Sequence, residues 1–222
     1  MKTLISRLIH CAIASLVFVL TFQTCWAQEG PSRRLFGLIA SPQLAKLDEV
    51  SKELKLSDEQ KKQVDAMIQD MMGKFGQAFQ DAAGDFAKMG VEIRKLQTEA
   101  HSKLLGSLDD TQKNRMQQIY VQINKSTVLL DKSVIASLKI SEDQQKKIEK
   151  AQQESQQSMF ESFGEWQSMS AKDRAKKAEE LITNRDKTMA APLTDDQKAE
   201  FEKSMGTKLE IDLSKIPMPG QS

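Results

Sequence analysis

A five-residue pattern occurs four times in this chain, as Leu56-Ser57-Asp58-Glu59-Gln60, Leu108-Asp109-Asp110-Thr111-Gln112, Ile140-Ser141-Glu142-Asp143-Gln144 and Leu193-Thr194-Asp195-Asp196-Gln197. Each copy is an apolar residue, a helix N-cap, two residues rich in acid, and a glutamine. A Ser, Thr or Asp oxygen at N-cap accepts from a free backbone N–H of the first turn. The glutamine at N3 can reach back to the N-cap N–H, which makes a capping box. The intervening acids sit where the helix dipole favours negative charge. Seven residues after each cap comes another apolar position: Val64, Met116, Ile148 and Phe201. The pattern therefore predicts four amphipathic helices launched in one register.

The spacing adds a second regularity. The four glutamines are separated by 52, 32 and 53 residues, which implies a duplicated unit with a period of 84 to 85. Apolar positions follow it, pairing Leu44 with Val128, Leu54 with Leu138, Val64 with Ile148 and Phe79 with Phe163. Convergent patterning among helices of similar length is the alternative. Each unit reads as a short helix, a box, two helices separated by a cap, a second box and a closing helix. The closing helix of the first unit is expected to run on into the opening helix of the second.

Charged residues make up 28% of the chain and aromatics only 5%. This balance suits long helices rather than a sandwich or an α/β enzyme. The expected fold is all-α: two tandem units forming an extended, curved layer of long antiparallel helices. In chain order we expect a signal peptide at 1–27, a flexible leader at 28–41, unit one at 42–125, unit two at 126–206 and a tail at 207–222. Lys2 and Arg7 precede the apolar run Leu8 to Phe22, and Cys25-Trp26-Ala27 offers a cleavage site before Gln28. An uncleaved anchor is the other reading. Cleavage would remove both cysteines and leave 30 basic against 31 acidic residues, so nothing points to nucleic acid as a partner.

Within the units, Ser41 should cap a helix whose first residue is Pro42, and Ser170 should cap the helix that follows it. Gly84-Asp85 and Gly106-Ser107 read as helix ends. In the tail, Leu209, Ile211 and Leu213 alternate, which suits either an extended segment on the body or disorder.

At the four boxes the sequence resembles the LTxxQ-motif family of Spy/CpxP-like periplasmic chaperones. Leu193 to Gln197 matches the motif in full; the other copies carry Ser or Asp at the cap, and one has Ile for Leu. The resemblance implies a thiol-free, all-helical exported protein that holds unfolded clients on a concave face, commonly as a dimer. This chain has four motifs where such proteins usually have two, and its mature form is near neutral where a basic face is typical of Spy.

The residues offer little for catalysis. His101 is the only histidine left after processing and is expected near a helix end with an exposed structural role. There is no phosphate loop or nucleophile elbow, and the acid pairs are explained by the helix dipole, so neither metal nor cofactor is expected. Met67, Met71, Phe75 and Phe79 form a stripe rich in Met and Phe, with Phe163 and Trp166 as its counterpart in unit two. Such a stripe is either ordinary core or an adaptable apolar surface for unfolded polypeptides. The functional expectation is an exported, non-enzymatic, chaperone-like holding protein, with a homodimer as one assembly. A structural or scaffolding envelope protein with one specific partner is the alternative.

Overall fold

The computed structural model describes residue 34 and residues 38–81, 86–166 and 168–216. The expected signal peptide, most of the leader and the Gly84-Asp85 stop lie outside the described residues. Among the described residues the fold is all-α, with nine α-helices, two 3-10 segments and no strand. The α-helices are α1 (Ser41–Ala45), α2 (Asp48–Glu53), α3 (Asp58–Asp81), α4 (Phe86–Gly106), α5 (Asp110–Asn124), α6 (Lys132–Leu138), α7 (Glu142–Trp166), α8 (Ala171–Ala190) and α9 (Asp195–Ser204). The 3-10 segments are Lys125–Leu130 and Leu213–Lys215.

Some local structure recurs along the chain. Two long helices follow the first box, α3 and α4, and two follow the third, α7 and α8; each pair packs along its own length. The short helices α2 and α6 also end alike. Lys55 and Lys139 both adopt left-handed backbone, with φ of 51° and 52°. The next residues, Leu56 and Ile140, donate back to Ser51 O and Ile135 O, closing a Schellman-type turn. A side chain in this conformation is strained, whereas glycine adopts it freely. Lys55→Gly and Lys139→Gly are therefore each expected to raise stability by about 0.5–1 kcal/mol, read as a higher urea midpoint.

Residues from both halves of the described chain share one buried apolar cluster. Leu44, Leu104, Met116, Ile119, Val128, Leu129, Ile148 and Met189 are all completely or almost completely buried in it. At its centre lies the 3-10 segment Lys125–Leu130, packed against α8, α5, α6 and α7. The helix expected to run unbroken from the second box to the third is thus interrupted here. Lys125, at φ 47° and ψ −133°, turns the chain out of α5. The Thr127 hydroxyl donates to Asn124 O at 2.6 Å, satisfying a carbonyl that the helix no longer uses.

The N-terminal side differs from the expectation too. The flexible leader was to extend to residue 41, but Leu38, Ile39, Ala40 and Ser41 are buried. Asn124 grips Ile39 from both sides, its Oδ1 accepting from the N–H at 2.6 Å and its Nδ2 donating to the carbonyl at 3.1 Å. Gln97 donates to Leu38 O at 2.5 Å. Ser41 is not the cap: Ala40 occupies that position without a side-chain bond, and Ser41 begins α1 with its hydroxyl committed elsewhere. Ser170 does cap α8, accepting from Asp173 N at 3.2 Å.

The described tail lies on the body, and its Leu213–Lys215 stretch closes as a 3-10 turn. Leu209, Ile211 and Leu213 are half-buried against the core and Ile216 is buried, while Lys208, Glu210, Asp212 and Ser214 face outward. Gly206, with φ of 62°, turns the chain into this segment.

Candidate functional site

All four boxes form as reciprocal pairs. The Gln60 side chain accepts from Ser57 N at 3.0 Å while Ser57 Oγ accepts from Gln60 N at 3.2 Å. Asp109 with Gln112, Ser141 with Gln144, and Thr194 with Gln197 repeat the arrangement. Leu56, Leu108, Ile140 and Leu193, which open the four motifs, are buried.

The structure adds a pairing between boxes. Gln60 Nε2 donates to Gln112 Oε1 at 2.8 Å, and Gln112 Nε2 returns the bond to Gln60 Oε1 at 3.2 Å. Gln144 and Gln197 repeat this at 2.7 and 3.2 Å. Each amide then spends its remaining proton on a backbone carbonyl just ahead of the partner box. Gln60 reaches Ser107 O and Gln112 reaches Leu54 O; Gln144 reaches Pro192 O and Gln197 reaches Leu138 O. Two donors and two acceptor positions are used on every glutamine, a full complement for an amide. The boxes are therefore clamps as well as caps, and their glutamine amides keep no free valence for a ligand.

The expected client surface is placed differently. Met67, Met71 and Trp166 are buried, at 7%, 2% and 5% exposure, so they do not form an open apolar face. The physical reason is that each long helix turns its stripe toward its hairpin partner. Met71 packs with Ala40, Ala100 and the half-buried Phe75. Trp166 packs with Met159, Ala178 and Ile182. The side chains of Phe79 and Phe163 lie outside the described residues. Among the described residues the exposed large hydrophobic side chain is Val91, at 67%.

His101 is likewise not exposed. It is 8% exposed, stacked on Tyr120 with centroids 4.1 Å apart, and its Nδ1 lies 2.5 Å from Ser41 Oγ. Burial brings its pKa down to about 4. Tyr120 donates to Asp131 Oδ2 at 3.0 Å, and Arg94 stands 3.6 Å from the other carboxylate oxygen. Burial raises the Asp131 carboxyl, with Arg94 and Tyr120 opposing that rise. A serine hydroxyl on an imidazole has the form of a nucleophile and its base. Here, however, Ser41 is fully buried, so no substrate reaches the hydroxyl in this structure. The group joins α1, α4, α5 and the start of α6, and its geometry fits a packing role.

Among the described residues no three His, Cys, Asp or Glu side chains come together as a metal site. No described helix is long and apolar enough to cross a membrane. Asn124, Gln97 and Arg94 are partners that the motifs do not announce, although a signal was present for the first two. Asn124 falls four residues after Tyr120 on the stripe of α5, and Gln97 lies on the stripe of α4 four residues after Ile93. A polar residue in an apolar stripe implies a buried hydrogen-bond partner. No known family model, characterised protein or solved structure matches this chain.

Proposed function

We propose that the chain is an exported, non-enzymatic binding protein that holds unfolded or stress-damaged polypeptides of the cell envelope. The observation that carries this reading is the division of the apolar interior. The hairpins α3–α4 and α7–α8 are rooted in the main core, and beyond it they are sealed by small separate clusters around Met71 with Phe75 and around Met159 with Trp166. So few apolar contacts permit local opening at modest cost, and opening releases Met and aromatic side chains that re-pack around dissimilar partners. The four boxes, tied two and two through their glutamines, would keep the frame intact while the hairpins open. A scaffolding protein with one partner is the second reading, favoured by the scarcity of exposed large apolar side chains.

The test uses the chain without residues 1–27, mixed with several unrelated unfolding proteins while light scattering is followed. Suppression of aggregation for all of them at near-stoichiometric ratios is the expected result. Absence of suppression, with a single stoichiometric partner recovered from envelope extracts, would replace it with the scaffolding reading.

A further inference from the structure

We propose that residues 207–216 are an internal occupant of a groove that binds extended polypeptide with apolar side chains at alternate positions. The inference rests on the holding function proposed above and gives it a site and a client pattern.

The groove is defined by what lies in it. Gln122, half-buried on α5, takes both backbone groups of Leu209: its Oε1 accepts from the N–H at 3.1 Å and its Nε2 donates to the carbonyl at 2.7 Å. Arg115 donates to Thr207 O at 2.9 Å. These contacts read main chain and ignore sequence, as peptide recognition by an extended edge does. Selectivity comes from the alternation, with Leu209, Ile211 and Leu213 against the core and charged or polar residues between them.

The same helix holds the N-terminal segment in the same way, through Asn124 on both backbone groups of Ile39. The two grips differ in depth. Asn124 is 1% exposed, and its segment is a fixed part of the core. Gln122 is half-buried, and beyond Leu209 the described tail is secured by half-buried side chains, by Ile216 as its one fully buried side chain, and by Lys215 on Glu49 at 2.5 Å. Exposed ion pairs add little. Gly206 supplies a turn at the base of the segment, where its backbone has positive φ. The tail is thus the more readily exchanged of the two, and a client of matching pattern would take its place.

A tethered occupant lowers the apparent affinity of any competitor by the fraction of time the groove is open. The probe is a fluorescein-labelled synthetic peptide of residues 207–216, followed by anisotropy with the full chain. Lys215→Glu combined with Ile216→Ser weakens the tail without touching Gln122 or Arg115. This variant is expected to bind the probe at least about tenfold tighter than the unaltered chain, and adding Gln122→Ala should abolish the gain. Equal affinities with an intact circular-dichroism melt would overturn the proposal. So would a variant that dimerises by exchanging tails and leaves the probe unbound.

Should the variant fail to fold, hydrogen exchange on the unaltered chain decides. Saturating probe should accelerate exchange of the Leu209 amide, and an unchanged rate rejects the groove. Aggregation suppression without probe binding rejects the groove alone. Probe binding without suppression supports the groove and rejects the holding function.

Discussion

Gln112→Glu is expected to lower the unfolding free energy by about 3 kcal/mol, far more than a surface change of similar size and shape. The Gln112 amide donates to Leu54 O at 3.0 Å and to Gln60 Oε1 at 3.2 Å. A carboxylate has no proton to donate, so it would face two oxygens as an anion at a half-buried site. Losing a hydrogen bond costs about 0.5–1.5 kcal/mol, and leaving its partner unsatisfied beside a charge costs about 1–3 kcal/mol. Gln112→Ala should cost less, about 2 kcal/mol, because it removes the bonds without adding the charge. Cap changes such as Ser57→Ala stay within about 0.5–2 kcal/mol, since the glutamine clamp survives them. Urea midpoints at constant slope read all three.

Acid should destabilise the chain through His101. Its pKa is brought from 6.5 in the free residue to about 4 by burial. Below about pH 6.5 the unfolded chain takes up a proton that the folded chain does not accept until about pH 4. The stability contributed by the neutral imidazole is complete above pH 6.5 and is lost as the pH falls through that window. At about 1.4 kcal/mol per decade, the loss approaches about 3 kcal/mol. Asp131, whose carboxyl is raised by burial, works in the opposite sense, so the difference between two proteins is the proper readout. His101→Phe keeps a ring on Tyr120 and removes the titration. The stability difference between the unaltered chain and this variant is expected to shrink or reverse between pH 7 and pH 4. A difference independent of pH would mean that His101 titrates normally.

The helices were legible because their signals are local. A cap oxygen and a glutamine three residues on decide a helix start within one turn, and all four boxes form where those residues stand. Ser170 shows the same for the start of α8. What the sequence hid were choices made between distant segments. Ser41 is a competent cap, yet its hydroxyl bonds His101 across 60 residues. The apolar stripe past Asp109 suits one long helix, yet Asn124 turns to the Ile39 backbone and the chain leaves the helix at Lys125. Periodicity placed Met67, Met71 and Trp166 on one face of their helices correctly, but a stripe cannot say whether that face meets a neighbour or water. Nor does a capping box announce that its glutamine has two further bonds to make.

The four boxes are joined two and two, Gln60 to Gln112 and Gln144 to Gln197. Double-mutant cycles on glutamine-to-alanine changes test it most directly, with unfolding free energies measured for every single and double variant. Within each pair the coupling should reach about 1 kcal/mol or more, because the second substitution removes a bond already lost. Across pairs, as for Gln60 with Gln144, the changes should add to within about 0.5 kcal/mol. Additive behaviour within the pairs, or coupling as strong across them, would mean that the glutamines do not join the boxes two and two.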